Sequence, residues 1–316
     1  LQKEFPLLEF IVLPGYNISY PENGSMLLQM ILQIPKILRA IKREHKFLSK
    51  IISEKKIDAV ISDNRFGLWS AKNKNPPCVF ITHQIMIKSP LGEKLIHWLN
   101  KRYINRFSEC WIPDYEEKNN LSGELSHTSS LPGNAKYIGI LSRFTPASSV
   151  FFNNNEKKIE ILAVLSGPEP QRTLFEKKII RQLNLIDKRT LIVRGITEKN
   201  QRKKISENIE MVSHLTSEEL QKEIVSAEVI LSRPGYSTVM DLAVLGKKAI
   251  FVPTPGQTEQ EYLADYLSEK KIAYSVTQKE FDIKKALQEM YNFTGFVQKK
   301  SGEEFKKTID VFLSAL

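Results

Sequence analysis

The sequence predicts an α/β protein in which two doubly wound, Rossmann-like domains face each other across a cleft. Short β-branched runs alternate with amphipathic segments over almost the whole chain, a rhythm that is typical of parallel sheets covered by helices on both faces. The chain has 316 residues, which is more than one compact core usually fills, so we expect two domains of roughly 150 residues each.

The elements follow in order along the chain. The first half predicts a strand at 8–14 and a helical stretch that is capped by Ser25 and broken by Pro35. Further strands are predicted at 57–63, 78–83, 110–114, 136–140, 159–165, 190–194, 209–213, 228–232, 249–253 and 272–276. A polar stretch at 142–158 lacks periodicity and is the best linker. The predicted organisation is a first domain at 1–144, a linker at 145–158, a second domain at 159–300 and a closing helix at 301–316.

Composition excludes several classes of protein. Hydrophobic residues make up 41% and charged residues 26% of the chain, as in ordinary globular proteins. Charges interrupt every apolar run before it reaches the roughly 18 residues of a membrane-spanning helix. Cys78 and Cys110 lie in apolar, strand-like settings, which favours buried free thiols in a reducing compartment such as the cytoplasm. The start at Leu1, without a basic and then apolar leader, predicts no secretion and suggests an N-terminal truncation.

The net charge of +10 is concentrated in a basic run at 36–56, where eight cations face only Glu44 and Glu54. One interpretation is a solvated helix face behind an apolar stripe that includes His45. The other is a surface for an anionic partner, such as the inner leaflet of a membrane. Nucleic acid is disfavoured, because Phe47 is the only aromatic side chain within the run.

The segment 232–241 carries the strongest chemical signal, because it follows a predicted strand and ligands bind beyond the carboxyl ends of parallel strands. Gly235 permits a tight turn, and Ser237 or Thr238 can cap the next helix, whose free N–H groups suit a diphosphate. Arg233 adds a charge-assisted contact, and Asp241 is placed to accept hydrogen bonds from ribose hydroxyls. The alternative is a plain strand-to-helix turn with an exposed Asp241.

Two further loops follow predicted strands. In 252–262, Gln260 and Glu261 offer the donors and acceptors that a sugar requires, unless the acids there only complement the helix dipole. The loop 166–172 contains Gly167 and Arg172 and matches neither a Walker loop nor a G-x-G-x-x-G fingerprint. This argues against a nucleotide triphosphatase or a dehydrogenase, although the amides of the loop could still approach a ligand.

The stretch 233–241, followed by residues 249–253 and then Gln260–Glu261, resembles the donor-binding half of a GT-B-fold glycosyltransferase of family 28. The best-known member of that family adds N-acetylglucosamine to a lipid-linked muramyl-pentapeptide. The likeness covers about residues 159–270 and, more loosely, 57–140. It implies a nucleotide-sugar donor, most simply UDP-linked, with no separate cofactor and no metal.

The resemblance also implies roles for individual residues. It places the diphosphate at the helix start, the ribose at Asp241, the sugar at Gln260 and Glu261, and the uracil beside 212–214. The loops and the resemblance together predict thirteen donor-binding residues, which are Gly167, Arg172, Val212, Ser213, His214, Arg233, Gly235, Tyr236, Ser237, Thr238, Asp241, Gln260 and Glu261. For His214 a plain surface-loop histidine is the alternative.

Two departures from the family pattern matter. Family members open with a strand and a Gly-rich loop that ends in His, whereas no such loop precedes 8–14, so we expect the first strand and helix to be missing. Pro234 and Asp241 stand where the family has Ala and Glu. Without that loop, His83 and Asp63, each at the end of a predicted strand, are the candidate catalytic bases. The alternatives are that His83 bonds a neighbouring loop and that Asp63 binds the amides of residues 64–67.

The sequence therefore predicts a metal-independent hexosyltransferase that moves a hexose or N-acetylhexosamine from a UDP-sugar to an acceptor hydroxyl. No Asp-x-Asp motif or His/Cys ligand cluster is present. The expected partners are the nucleotide sugar and a lipid-linked or membrane-associated acceptor, with the protein in the cytoplasm or peripheral on the inner membrane face. Two alternatives stay open, a nucleotide-sugar-binding protein without turnover and a nucleotide-sugar 2-epimerase.

Overall fold

The computed structural model describes residues 5–13, 15, 26–70, 75–89, 92–146, 158–198 and 200–316. The chain divides into two compact units. The first comprises Leu1–Gly139 with Glu303–Leu316, and the second comprises Ile140–Gly302. The change from one unit to the other falls upstream of the predicted linker, of which residues 147–157 lie outside the described part of the chain.

The first unit contains a parallel sheet with the strand order β1-β2-β3-β4. Its elements are α1 (Met26–Lys55), β1 (Val60–Asp63), β2 (Cys78–Ile81), α2 (Glu93–Ile104), β3 (Glu109–Ile112), a 3-10 turn (Gly123–Leu125) and β4 (Ala135–Tyr137). Phe80 and Phe107 contact each other in the core under this sheet, with ring centroids 4.8 Å apart. The strands lie close to the stretches in which β-branched and aromatic residues predict them.

Two expectations for the start of the chain are wrong. Residues 8–13 form no strand, because no described segment pairs with them, and their apolar side chains are largely exposed. Helix α1 continues through Pro35, although a proline removes one backbone hydrogen bond from a helix. Ile41 and Leu48 on its later turns are buried, and this packing outweighs the local loss. The predicted cap Ser25 lies outside the described residues.

The second unit contains a seven-stranded sheet with the order β11-β10-β9-β5-β6-β8-β7. Its elements are β5 (Ile161–Val164), α3 (Gln171–Leu183), β6 (Thr190–Val193), β7 (Arg202–Lys204), β8 (Ile209–Val212), α4 (Ser217–Ser226), β9 (Val229–Ser232), α5 (Tyr236–Leu245), β10 (Ala249–Phe251), α6 (Thr258–Glu269), β11 (Tyr274–Ser275), α7 (Ile283–Glu289) and a 3-10 turn (Met290–Asn292). Only β7 runs antiparallel to its neighbour in this sheet.

The strand order of the second unit reverses between β5 and β9. From β5 the chain builds β6 and β8 on one side, and it then returns to build β9, β10 and β11 on the other. This reversal is the topological switch point of a doubly wound sheet, where ligands bind outside the carboxyl ends of the strands. The loops after β5, β9 and β10 meet at that point.

The chain ends in α8 (Glu303–Ser314), which belongs to the first unit. Phe305 and Phe312 of this helix contact the buried ring of Trp111 on β3 edge to face, with centroids 5.9 and 5.5 Å apart. Aromatic pairs of this geometry stabilise a core beyond their buried area. In the described part of the chain, each helix is too short or too polar to span a lipid bilayer.

Candidate functional site

The turn between β9 and α5 leaves a helix start without a side-chain cap. Gly235 is the N-cap of α5, with φ −71° and ψ 142°, and as a glycine it has no side chain that could accept a hydrogen bond from the first turn. The prediction that Ser237 or Thr238 caps the helix is therefore wrong, because both residues lie inside its first turn. Their backbone N–H groups belong to the positive end of the helix dipole, which is an environment that suits a phosphate group.

Neither backbone strain nor crowding requires glycine at position 235. Its φ is one that any residue adopts, and a Cβ placed there would meet no atom within 4 Å. Gly246, which ends the same helix, differs in both respects: its φ is +63°, and its Cβ would approach Gln298 at 3.3 Å. Gly235 therefore presents a bare Cα to open space beside the helix start, as a backbone does where a ligand approaches closely.

Two buried hydroxyl groups lie at the same strand ends. Ser232 ends β9 and Thr254 follows β10; each is 1% exposed, and neither hydroxyl oxygen has a hydrogen-bond partner among the described residues. An unpaired buried hydroxyl costs about 1–3 kcal/mol, so such groups usually mark a bound ligand or water. Gly167 after β5, with φ +102°, is the nearby glycine, since its Cβ would lie 3.9 Å from the Thr254 oxygen. At the switch point, an uncapped helix start therefore lies beside two buried hydroxyl groups that have no described hydrogen-bond partner.

The structure assigns Arg233 to the fold rather than to a diphosphate. The side chain is 1% exposed, and its Nη1 donates to the carbonyl oxygens of Val252 (2.7 Å) and Pro253 (2.8 Å). Its Nη2 donates to Gln278, and the guanidinium stacks 3.9 Å from the centre of the Phe175 ring. Burial lowers the pKa of Arg233 to about 9, so the group remains charged at neutral pH. Arg233 therefore stabilises the loop after β10, and the predicted charge-assisted contact between this residue and a diphosphate is wrong.

Asp241 lies on α5 but already has polar partners. Its carboxylate accepts a hydrogen bond from the Ser142 hydroxyl at 2.6 Å and lies 3.6 Å from Arg143 Nε. Burial raises the pKa of Asp241, and the contacts with Ser142 and Arg143 act in the opposite direction. A ribose at this carboxylate would have to share it with Ser142. The sequence did not indicate either partner, because both lie in the stretch interpreted as a linker.

Gln260 and Glu261 shape the loop between β10 and α6. Gln260 Oε1 accepts from the Thr254 amide, and Glu261 Oε1 accepts from the Gly256 amide, each at 2.8 Å. These acceptors are therefore occupied by backbone groups rather than presented to a sugar. Glu261 also lines a cavity of about 770 Å³. Asp265, Tyr274, Thr277 and Lys285 are among the other residues that line it.

The remaining predicted donor residues are mostly engaged within the unit. Arg172 forms an ion pair with Glu169 and donates to the carbonyl of Arg194 at 3.1 Å, so it braces the loop after β5. The segment 212–214 begins at the last residue of β8, and there the Ser213 amide donates to the Gln201 carbonyl and the Ser213 carbonyl accepts from the Ile196 amide, each at 2.8 Å. The Val212 carbonyl accepts from Arg194 at 3.0 Å, and His214 Nδ1 lies 3.2 Å from the Ile196 carbonyl. The backbone contacts that were predicted for a uracil are thus taken up by neighbouring loops.

The two candidate bases lie at the carboxyl ends of adjacent strands of the first unit. Asp63 ends β1 and pairs in register with Ile81, and half-buried His83 lies two residues beyond Ile81. Asp63 is exposed, and its carboxylate binds no described amide; instead the Ser62 hydroxyl donates to the Arg65 carbonyl at 2.7 Å and closes the turn. The loop-fixing alternative for Asp63 is therefore wrong. Both side chains stand at the carboxyl edge of this sheet.

The described residues contain no group of three or more His, Cys, Asp or Glu side chains arranged to hold a metal ion.

The second unit contains an arrangement that can accept an anionic ligand without a charged side chain. It consists of the first turn of α5, the hydroxyl groups beside that turn, and Gly235. We name this arrangement, comprising Ser232, Gly235, Ser237, Thr238 and Thr254, the switch-point site.

Residues 164–312 match the model of the glycosyltransferase family 28 C-terminal domain. Among curated proteins, the UDP-N-acetylglucosamine–N-acetylmuramyl-(pentapeptide) pyrophosphoryl-undecaprenol N-acetylglucosamine transferase of Haemophilus influenzae (strain PittEE) is 29% identical over 155 residues, which is 47% of this chain and 43% of that protein. The transferase of the same name from Histophilus somni (strain 129Pt) is 42% identical over 67 residues, or 21% of this chain and 19% of that protein. The chain thus aligns with less than half the length of these relatives.

Solved glycosyltransferase structures share the fold at low sequence identity. The calicheamicin glycosyltransferase CalG4 has a TM-score of 0.60 at 10% identity and covers 92% of this chain and 84% of its own. MurG of Acinetobacter baumannii has a TM-score of 0.53 at 14% identity, with coverages of 88% and 80%. The glycotransferase of kitacinnamycin has a TM-score of 0.57 at 13% identity, with coverages of 82% and 74%.

Proposed function

Because residues 164–312 match the family 28 glycosyltransferase C-terminal domain and the chain has a glycosyltransferase fold, we propose that the protein is a hexosyltransferase. It moves a hexose or an N-acetylhexosamine from a nucleotide-diphosphate sugar, UDP-linked, to an acceptor hydroxyl. The single observation that carries this proposal is the switch-point site, in which an uncapped helix start lies beside two buried hydroxyls without described partners.

In this proposal the diphosphate of the donor rests against the first turn of α5. The amides of Ser237 and Thr238 donate to its oxygens, and the bare Cα of Gly235 allows the phosphates to approach the backbone. The hydroxyls of Ser232 and Thr254 donate as well, which satisfies both buried groups. The ribose lies toward Asp241 and takes over part of the interaction that Ser142 now makes.

The transfer itself is a displacement at the anomeric carbon. The acceptor oxygen forms a bond to that carbon while the bond to the diphosphate breaks, and the electron pair of the broken bond leaves with the nucleoside diphosphate. Negative charge grows on the leaving group, where the N–H groups of the first turn of α5 stabilise it. The proton of the acceptor hydroxyl passes to a general base, for which we propose His83, with Asp63 as the second candidate.

Helix N-termini and metal ions can each stabilise negative charge that develops on a leaving group, and we therefore propose that the helix start suffices and that transfer needs no metal. The test is the rate of donor turnover by the purified protein with a chelator and with added Mg²⁺ or Mn²⁺. Equal rates support metal independence, and a rate that depends on the added ion contradicts it.

We propose a lipid-linked acceptor and a peripheral position at the inner face of the membrane. The curated relatives carry undecaprenol in their names, which motivates the acceptor class. The test offers the protein a donor together with polyprenyl-diphosphate sugars or with water-soluble sugars. Transfer confined to the water-soluble acceptors contradicts the lipid-linked class.

The decisive experiment measures nucleotide binding and turnover with the full chain. UDP, GDP and TDP are titrated while the unfolding temperature is recorded, because a ligand stabilises only the state that binds it. We expect a dose-dependent rise with UDP. Failure of all three nucleotides to raise the unfolding temperature overturns the proposal.

A second arm separates the alternatives with UDP-sugar as substrate. Release of UDP that depends on an acceptor indicates transfer, and conversion of the sugar without an acceptor indicates a 2-epimerase. Binding without either reaction indicates a nucleotide-sugar-binding protein. H83Q and D63N then identify the base, since loss of turnover with unchanged UDP binding is expected only for the residue that accepts the proton.

A further inference from the structure

A side-chain hydrogen bond joins the two strand ends at which the candidate bases lie. Asn64 comes directly after Asp63 at the end of β1, and Thr82 comes directly before His83 at the end of β2. The Thr82 hydroxyl donates to Oδ1 of Asn64 at 3.2 Å, and the Asn64 amide donates to the Ile81 carbonyl at 3.0 Å. The two loops are therefore linked at the residues next to the bases.

Thr82 also fixes the backbone around His83. Its side chain and backbone are 3% exposed, and its amide donates to the Trp111 carbonyl at 3.1 Å. Its hydroxyl accepts a hydrogen bond from the Gln84 amide at 3.0 Å, so it both donates and accepts. A hydroxyl that bonds the amide two residues later closes a turn of its own. His83 is the central residue of that turn, so its backbone direction depends on the Thr82 hydroxyl.

The segment that follows His83 is anchored to α2. Asn100 of this helix is 4% exposed, and its side-chain amide donates to the carbonyl oxygens of Gln84 (2.8 Å) and Ile85 (2.9 Å). His97 Nδ1 lies 3.1 Å from the same Ile85 carbonyl. The backbone is therefore held on both sides of His83.

The loop that contains Asn64 is anchored to α1. Nε of Arg65 donates to the buried Glu44 carboxylate of this helix at 2.5 Å. A Cβ at Gly67 would lie 2.7 Å from the Ile41 carbonyl oxygen, so the loop passes the helix too closely for any other residue. Both partners of the Asn64–Thr82 bond thus stand on fixed backbone.

The backbone of Asn64 is itself unusual. Among the described residues other than glycine, φ is positive at Lys56, Asn64 and Lys271. Lys56 and Lys271 stand just beyond the ends of α1 and α6, where a left-handed residue is common. Asn64, with φ +53°, stands instead at the end of a parallel strand, where ligands bind. Residues held in sparsely populated backbone conformations cluster at functional sites.

We propose that Asn64 and Thr82 are positioning residues for the transfer reaction, because their hydrogen bond holds His83 where its imidazole accepts the proton of the acceptor hydroxyl. Both act through His83 and need no contact with the reacting atoms. The inference rests on the proposed function and on His83 as the base. A general base must lie within hydrogen-bond distance of the proton it accepts, and a misplacement of about 1 Å can cost roughly a hundredfold in rate.

The test measures UDP release from a UDP-sugar by the full chain, with kcat and the KM for the acceptor determined separately. T82V removes the hydroxyl and keeps the shape of the side chain. We expect kcat to fall about ten- to a hundredfold, with UDP binding unchanged. T82S keeps the hydroxyl and is expected to restore most of the turnover.

A second pair of variants addresses Asn64, which is exposed and therefore tolerates substitution if T82V fails to fold. N64G suits the positive φ and lacks the acceptor oxygen, so kcat should fall as in T82V. N64D keeps an oxygen that accepts from Thr82 and is expected to retain most of the turnover.

The double variant H83Q/T82V separates positioning from a general structural effect. If Thr82 acts through His83, T82V lowers the rate of the wild type but does not lower that of H83Q further. T128V is the matched control. The Thr128 hydroxyl also accepts from the amide two residues later, that of Ser130, at 3.4 Å, in the loop that leads to the start of β4. We expect T128V to leave kcat unchanged.

Hydrogen exchange of the Gln84 amide reports the turn without any turnover. T82V removes the acceptor of this amide, so its exchange should become at least about tenfold faster, whereas T128V should not change it.

Four outcomes overturn the proposal. The first is wild-type turnover by both T82V and N64G. The second is a T82V effect of the same size in H83Q as in the wild type. The third is unchanged exchange of the Gln84 amide in T82V. The fourth is wild-type turnover by H83Q, which removes the base on which the inference rests. Failure of the wild type to bind UDP is a failure of the proposed function itself, and the nucleotide titration shows it before any variant is made.

Discussion

Replacement of Gly235 by valine tests whether the switch-point site holds a ligand. The backbone at this position has φ −71° and a Cβ would meet nothing within 4 Å, so neither backbone strain nor a clash at Cβ opposes the substitution. Reduced freedom of the unfolded chain favours the larger residue, whereas the loss of a good N-cap residue disfavours it, each by roughly 0.5–1 kcal/mol. We expect these effects to cancel to within about 1 kcal/mol in the free energy of unfolding.

The effect on binding should be much larger. The added methyl groups occupy the space in which the diphosphate approaches the α5 amides, and they hold the phosphates beyond the 2.7–3.2 Å range of a normal hydrogen bond. Loss of one charge-assisted hydrogen bond of about 1.5–3 kcal/mol corresponds to a rise in the UDP dissociation constant of roughly ten- to a hundredfold. The assay is calorimetric titration with UDP, together with urea unfolding of the same preparation.

Substitutions of two other glycines serve as controls for this experiment. Gly133, in the first unit, also has open space around its Cα, so G133V is expected to leave both stability and UDP binding unchanged. Gly246 has φ +63°, so G246A is expected to lower stability because an L-residue there is strained. If G235V folds normally and binds UDP as tightly as the wild type, no ligand approaches Gly235 and the reasoning about this site fails.

Three further predictions concern buried ionisable groups. R233K should lower the free energy of unfolding in urea by about 2–3 kcal/mol, because a lysine cannot donate hydrogen bonds to Val252, Pro253 and Gln278 at the same time. An unchanged urea midpoint would contradict this structural role of Arg233. Burial raises the pKa of the Cys110 thiol to about 12, so the unfolded chain loses this proton first as pH rises from about 9. Between about pH 9 and 12 the wild type should therefore lose up to about 1.4 kcal/mol per pH unit more than C110A, and parallel pH profiles would refute this. Burial also raises the pKa of Asp241, so ionisation of its carboxyl group lowers the stability of the wild type as pH rises above about 4. In urea unfolding, D241N should therefore become more stable relative to the wild type between about pH 4 and 7. A difference in the free energy of unfolding that stays constant with pH would show that the carboxylate is not desolvated.

The strand pattern of the second unit could be predicted because its central strands are buried on both faces and appear as uninterrupted apolar runs. All six strands predicted there are found within their predicted bounds. The exception is β7, whose residues 202–204 are all basic and exposed. An edge strand that presents lysines to solvent gives no apolar signal, although such residues protect the edge from pairing with other chains.

The opening stretch at 8–13 shows the opposite error. Its composition is that of a strand, but a strand forms only where a neighbour supplies hydrogen bonds, and the described residues offer none. Local composition therefore predicts the capacity to pair and not the presence of a partner.

The helix start at Gly235 could be located from the sequence, whereas the roles of its neighbours could not. Arg233 bonds with Gln278, and Asp241 bonds with Ser142. These partners are far away along the chain, and no local pattern reports them. A charged residue beside a turn has the same sequence signature whether it binds a ligand or braces the fold. The resemblance to family 28 is confirmed over the second unit, yet it could not make this distinction either.

Helix α8 has a practical consequence for dividing this protein into fragments. The chain leaves the first unit at Gly139 and re-enters it at Glu303, and the two crossings are bonded to each other, since Ser301 Oγ donates to the Ile140 carbonyl at 3.1 Å. Residues 140–302 are thus an insertion whose two ends are neighbours. A fragment that ends at Gly302 would lack the two phenylalanines that contact Trp111, and the core of the amino-terminal unit would be exposed. A truncation at the carboxyl end of the chain would therefore destabilise the unit formed by its amino-terminal part.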